Sequence, residues 1–297
     1  MDIELPSAFT AADDQSGWGQ TMHLRLSKIE LSLVVLGAFA GLFGYVGKRD
    51  INLPQLFGAV LFVGALLLRA HRSSEQYEKQ WFEGRAAAES VKSLAWRYAV
   101  GGKPVGCELQ PGAADAADEV FLGLLREIVT GRPRAIVKHR ELPSAQITPW
   151  MRSVREMPLA DRAETYRSGR IENQREWYAK GAISNAQLYR RWNFAVLVLE
   201  FAGFAVGLTQ AVGLLGSFRV GVLGVAGAVI AAVISWSHAK QFGTLASAYA
   251  QAELELSSIL DVYFTGSNED EWASFVESAE TAISREHRMW QSARSLN

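Results

Sequence analysis

Four stretches of the chain carry almost no charge, and this limits what it can fold into. Leu31 to Gly47 is 17 residues without Asp, Glu, Lys or Arg, and Ile51 to Leu68 is 18. Trp192 to Phe218 is 27 residues interrupted by Glu200 alone, and Val220 to Ser237 is 18 with none. All four are rich in Leu, Val, Phe, Ala and Gly. A helix that crosses a bilayer needs about 20 mostly apolar residues, with a lower limit of about 17. The competing reading is four buried helices of a soluble all-α core. Core helices of soluble proteins keep a polar edge, and these windows have none, so the membrane reading is preferred.

The averages hide this. Over 297 residues the chain is 49% hydrophobic, with net charge −1 and mean hydropathy +0.03. Such values exclude disorder, collagen-like repeats and a strongly basic nucleic-acid binder, so no nucleic-acid partner is expected. The single Cys107 excludes a disulfide framework and a multi-cysteine zinc site, and fits a polar part that stays in a reducing compartment.

The windows come in two pairs. Lys48-Arg49-Asp50 joins the first pair, and Leu214 to Arg219 joins the second. Links this short imply two antiparallel hairpins. The outer flanks of the first hairpin carry Arg25, Lys28, Arg69 and Arg72, against Lys48 and Arg49 in its loop. Those of the second carry Arg190, Arg191 and Lys240, against Arg219. Lys and Arg concentrate on the cytoplasmic side. The expected topology is a multi-pass inner (plasma) membrane protein with both termini and the long middle segment in the cytoplasm. Residues 1–20 are acidic and lack the basic n-region of a secretory signal; a mobile N-terminal tail is expected there.

The cytoplasmic segments read as helices. Trp81, Arg85, Glu89, Lys92 and Trp96 recur at steps of four, four, three and four, which is one helix face. Further helices are expected over 115–130, 160–191, 239–260 and 269–293. No convincing strand is found, although the connector could hold short ones. The fold expectation is an all-α membrane protein: four transmembrane helices as two antiparallel hairpins, with long cytoplasmic helices forming a bundle. The division is a first unit over 21–130 with spans about 31–47 and 51–68, a basic Pro-containing connector over 131–158, and a second unit over 159–297 with spans about 193–214 and 220–237.

Catalytic signatures are missing. No phosphate-cradling loop lies between a strand and a helix. The five histidines are scattered, and no pair has metal-binding helix spacing. No nucleophile elbow is present. Carboxylate pairs such as Glu75 and Glu78 read as hydrated helix surface rather than acid–base groups. Neither an enzyme nor a cofactor is expected.

Several features remain. Glu200 is the one ionisable residue deep in a span, and with Gly203, Gly207 and Gln210 it forms a stripe at steps of three, four and three. The stripe is a candidate pore or subunit-contact face; helix packing within one protomer explains it equally well. A third reading puts Glu200 near the cytoplasmic interface, nine residues after Arg191. Gly37, Gly41 and Gly44, and Gly221, Gly224 and Gly227, mark further close-packing faces. The connector is basic: Arg132, Arg134, Lys138, His139, Arg140, Arg152 and Arg155. Of these, Arg132, Arg134, Lys138 and Arg140 are candidate contacts to lipid headgroups, with a phosphorylated small-molecule signal as the alternative. Trp192 and Trp236 occupy interface-anchor positions. Trp81, Trp96, Trp177 and Trp290 are expected to pack cytoplasmic helices together.

Trp81-x-x-x-Arg85, Ala88-Glu89-Ser90, Lys92-Ser93 and Trp96-Arg97-Tyr98 resemble the signature helix of the SLATT superfamily, two-transmembrane effector domains associated with SMODS nucleotidyltransferases and SLOG domains. The second half is similar to the DUF4231-type branch. Its matching residues are Tyr166, Arg170-Ile171, Gln174, Trp177-Tyr178 and Lys180, then Trp236, Lys240-Gln241-Phe242, Leu245, Tyr249 and Leu254, then Ile283 to His287 and Trp290. The resemblance covers nearly the whole chain as two units in tandem. It implies a membrane pore-forming effector of a prokaryotic anti-phage conflict system, with no catalytic residues, oligomerising in the inner membrane on a nucleotide second messenger or a signalling-protein partner. A non-catalytic membrane scaffold or sensor and an ion channel or transporter are the alternatives.

Overall fold

A computed structural model describes residues 3–43, 52–106, 113–132, 146–212 and 221–295; the side chains of 113–115 and 285–295 lie outside that description. The described residues are mostly helical and contain no strand. The helices are α1 (Ser7–Ala40), α2 (Leu53–Glu75), α3 (Tyr77–Val100), α4 (Ala113–Thr130), α5 (Pro149–Arg155), α6 (Leu159–Tyr166), a π segment (Arg167–Glu172), α7 (Asn173–Ala211), α8 (Val222–Lys240), α9 (Phe242–Asp261) and α10 (Glu269–Ser295). Two compact units result. One holds residues 1–20, 78–182 and 247–297, and the other holds 21–77 and 183–246. The second contains all four low-charge windows, so the units separate polar from apolar sequence.

The polar unit has a conventional core of large side chains, among them Trp96, Tyr98, Phe121, Met151, Tyr166, Ile171, Tyr178, Leu256 and Trp272. Here one expectation is corrected. The expected mobile tail is helical from Ser7, where residues 7–20 form the start of α1, with Ala8, Ala11, Ala12, Gln15 and Ser16 buried. The small side chains allow a tight fit on α3, where a Cβ built on Gly84 would lie 2.8 Å from the Ser16 backbone nitrogen. Thr148 Oγ1 also donates to the Glu4 carbonyl (2.7 Å), and Gln146 Nε2 donates to Ser7 Oγ (2.7 Å). The acidic composition concealed an alanine stripe.

The apolar unit is built differently. Three helical stretches among the described residues are long and apolar enough to cross a membrane: Leu53–Val100, Leu159–Ala211 and Val222–Asp261. In the most apolar windows of the last two, no residue is buried. The fourth window, 31–47, runs into residues 44–50, which lie outside the described residues, as do 213–220 of the other expected turn. Large apolar side chains point outward along these helices, including Leu56, Phe57, Leu66, Phe194, Phe201 and Phe204. Water does not tolerate apolar patches of this extent on a stable monomer; lipid satisfies them.

Helix ends follow local chemistry. Asn52 caps α2 by accepting from the Gln55 amide, and Pro54 occupies its first turn, where a missing N–H costs nothing. Asn268 Oδ1 accepts from the Asp270 amide (2.8 Å) at the start of α10. Among the described residues two non-glycine positions have positive φ, Gln76 (52°) and Gln241 (56°). They interrupt α2–α3 and α8–α9 at corresponding places. The connector contributes helix α5 rather than strand; its residues 133–145 lie outside the described residues.

Candidate functional site

The π segment widens one helical turn, and Tyr166, Arg170, Ile171, Gln174 and Tyr178 are buried along it and the start of α7. Arg170 meets Glu280 of α10 in a forked ion pair, Nε to Oε1 at 2.9 Å and Nη2 to Oε2 at 2.9 Å. The side chains are 1% and 0% exposed. Tyr166 Oη donates to the same carboxylate at 3.0 Å, and Ser93 of α3 also hydrogen-bonds it. Burial raises the Glu280 pKa, but the Arg170 charge and these hydrogen bonds outweigh burial and hold it below the usual carboxylate range. Burial pushes Tyr166 well up.

The layer continues along α3. Lys92 Nζ donates to Gln174 Oε1 at 3.3 Å. Burial, reinforced by the Arg170 charge, lowers the Lys92 pKa. Arg85 pairs with Glu89 (2.9 Å) and Asp13 (3.5 Å) and lies 5.8 Å over the Trp177 ring. Trp177 and Tyr178 contact Tyr249 of α9 at 5.0 and 5.5 Å between ring centroids. A Cβ on Gly181 would meet Tyr249 Cδ2 at 2.8 Å, so the small residue is required.

Beside this layer, the end of α3 is held by two donors. Arg162 Nη1 (2.8 Å) and Trp272 Nε1 (2.6 Å) both donate to the Val100 carbonyl, and Arg162 pairs with Glu269. Tyr98 Oη donates to Asp118 (2.5 Å), whose other oxygen takes Arg152 (2.6 Å). Burial and that bond push the Tyr98 pKa up to about 12. Arg155 donates to the carbonyls of Tyr98 (2.7 Å) and Gly106 (2.6 Å). Two of the connector's cations are therefore tertiary ties.

Of the residues singled out by sequence, Arg85, Glu89, Trp96, Tyr98, Arg170, Gln174, Trp177, Tyr178 and Tyr249 belong to this polar unit. Trp96 is fully buried against Trp150 and Tyr166. Trp81 is buried and stacks on Phe82, whereas Trp177 stays 45% exposed. Trp236 lies in the apolar unit with Lys240 Nζ 5.4 Å over its ring. The Trp290 side chain, and Arg134, Lys138 and Arg140, lie outside the described residues; Arg132 is half-buried.

In the apolar unit the Glu200 stripe divides. Gly203 and Gly207 face α8, where built Cβ atoms would lie 3.9 Å from Ala226 and 3.5 Å from Leu223. Gln210 is half-buried, and Glu200 is exposed among the outward Leu197, Val198 and Phe201. On the other pair, a Cβ on Gly58 would lie 2.8 Å from the Gly37 carbonyl oxygen. Arg72 pairs with Glu30 (2.9 Å) and donates to Ser27.

Sequence reasoning passed over Glu280, Arg162 and Asp118. Glu280 had a signal: it is an acid on the apolar stripe of Trp272, Val276 and Ile283. No group of three His, Cys, Asp or Glu among the described residues could hold a metal.

Two family models match the chain. Residues 6–163 match the SMODS and SLOG-associating 2TM effector domain 3, and residues 166–290 match the SMODS and SLOG-associating 2TM effector domain 1. The chain belongs to the SLATT family. It carries two such domains in tandem, as its recurring motifs suggested. Gln76 falls in the first SLATT domain and Gln241 in the second, at the same point of each apolar pair. No curated protein and no solved structure matches the chain.

Proposed function

We propose that this tandem SLATT chain is a non-catalytic, pore-forming effector of a prokaryotic nucleotide-signalling, anti-phage system. It crosses the inner membrane four times as two antiparallel hairpins, with both termini cytoplasmic, and permeabilises the membrane as a homo-oligomer. The description of its two domains as two-transmembrane effectors carries this reading. Three further observations support the arrangement. The contacts Gly37–Gly58, Leu33–Gly64 and Glu30–Arg72 fall in reverse order along α1 and α2. Tyr189–Gly243, Gly203–Ala226 and Gly207–Leu223 do the same along α7 and the run of α8 and the start of α9. Gly221 lies against Leu42, which puts the loop ends of both pairs together.

Glu200 supports the oligomer. A lone carboxylate deep in an apolar span costs several kcal/mol unless water or a partner group reaches it. Glu200 follows Arg191 by nine residues, roughly 13 Å of helix. A water-filled pore or a second copy of the chain would serve it. The cytoplasmic unit would receive the trigger, a nucleotide second messenger or a signalling protein, and its buried polar layer would transmit it by favouring one of two packings.

The test is inducible expression in bacteria loaded with a membrane-potential dye. Depolarisation that precedes growth arrest supports the pore. Arrest with an intact potential favours the alternative, a membrane scaffold that recruits cytoplasmic partners.

A further inference from the structure

The polar unit contains a cleft of about 570 Å³ between α3, α4 and α10. It is an open cleft with room for a small organic group. Its wall is chemically two-sided. Arg97, Arg132, Ser90, Ser93 and Ser284 contribute polar groups, and Leu94, Leu124 and Ile128 contribute an apolar side. We propose that this cleft binds a phosphoryl group attached to an apolar or aromatic moiety.

The arginines carry the argument. Arg97 is under-satisfied: its buried Nε has no hydrogen-bond partner. Its Nη1 and Nη2 reach only the Lys103 carbonyl at 3.3 Å and Thr281 Oγ1 at 3.4 Å. Those lengths are beyond the usual range for a guanidinium donor. A phosphoryl oxygen in the cleft would be a stronger acceptor for these Nη donors, and arginine's fork matches its geometry. Arg132, at the end of α4, supplies a second positive charge, and Glu127 is the one acid lining the cleft, leaving one net positive charge. Ser93 links the site to the interior, because it also hydrogen-bonds the buried Glu280. An occupant would thus lie against the residue that supports the Arg170–Glu280 pair.

The proposal concerns binding and stands whether or not the chain forms pores. The phosphoryl group could belong to a soluble metabolite or to a lipid headgroup, and two probes separate these sources. The purified full chain in neutral detergent is titrated calorimetrically with phenyl phosphate and, separately, with dihexanoyl phosphatidic acid below its micelle concentration. Saturable binding of either probe is expected, weakened at least about tenfold by Arg132→Gln, the loss of one charged bidentate contact. Arg97→Gln is expected to do the same, and Glu127→Gln to tighten binding. Should Arg97→Gln fail to fold, Arg132→Gln and Glu127→Gln decide the question alone. A preference for phenyl phosphate assigns the soluble source, and a preference for the lipid assigns the headgroup. No saturable binding of either probe, or binding that Arg132→Gln and Glu127→Gln leave unchanged, overturns the proposal.

Discussion

Arg170 and Glu280 are joined by two 2.9 Å hydrogen bonds between side chains that have almost no contact with solvent. They connect the π segment to the last helix across 110 residues. Removing one partner from such a pair strands a buried charge and costs about 3–5 kcal/mol, whereas replacing both with apolar groups of similar volume is often neutral. Arg170→Met and Glu280→Leu are each expected to lower the unfolding temperature of the polar unit sharply. The double variant is expected to recover most of the loss, as measured by near-UV circular dichroism.

The same pair sets an acid response. Glu280 is held below its ordinary value in the folded chain, so the folded state binds fewer protons than the unfolded one. Its contribution is present in full above the normal glutamate range and is lost as pH falls through the lowered value. Thermal unfolding temperature should therefore fall from about pH 5 toward pH 3. The slope should be flatter in Glu280→Gln.

Gly84 lets α1 lie against α3. A Cβ there would come within 3.0 Å of both the Ala12 carbonyl oxygen and the Ser16 Cα, and backbone cannot swing aside as a side chain can. Gly84→Val is expected to cost about 1–3 kcal/mol by overpacking. Limited proteolysis is then expected to cut within residues 7–20 of the variant and to spare them in the parent chain.

Much of this was legible in the sequence, for physical reasons. The absence of charge from the long windows reports directly on lipid, and the tryptophan–arginine face of α3 reports on a helix packed on others. Residues 1–20 misled because alanines at helical spacing bury a face without raising hydropathy, so acidic neighbours dominated the reading. Glu280 stands out locally as an acid on an apolar stripe, but its partner, Arg170, is 110 residues away, and no local pattern encodes such a pairing. Likewise Arg152 and Arg155 read only as part of a basic connector, because their partners, Asp118 and the carbonyls of Tyr98 and Gly106, are distant in sequence.

Gln76 and Gln241 are the left-handed residues that end α2 and α8. Left-handed backbone costs a residue with a Cβ roughly 1–2 kcal/mol, most for β-branched side chains and least for glycine. At both positions, stability should follow the order glycine at or above glutamine, and glutamine above valine. The matched response of Gln76→Val and Gln241→Val in thermal melts would show that the two SLATT domains use one junction.

The proposed function requires that copies of the chain, once triggered, form a pore with no other subunit. Its most direct test is single-channel recording of the purified full chain in a planar bilayer, with Glu200→Gln beside it. Discrete conductance steps are expected, altered in amplitude or selectivity by Glu200→Gln with protein insertion unchanged. A chain that inserts in full amount yet never conducts, with or without nucleotide on the cytoplasmic-unit side, would contradict the account.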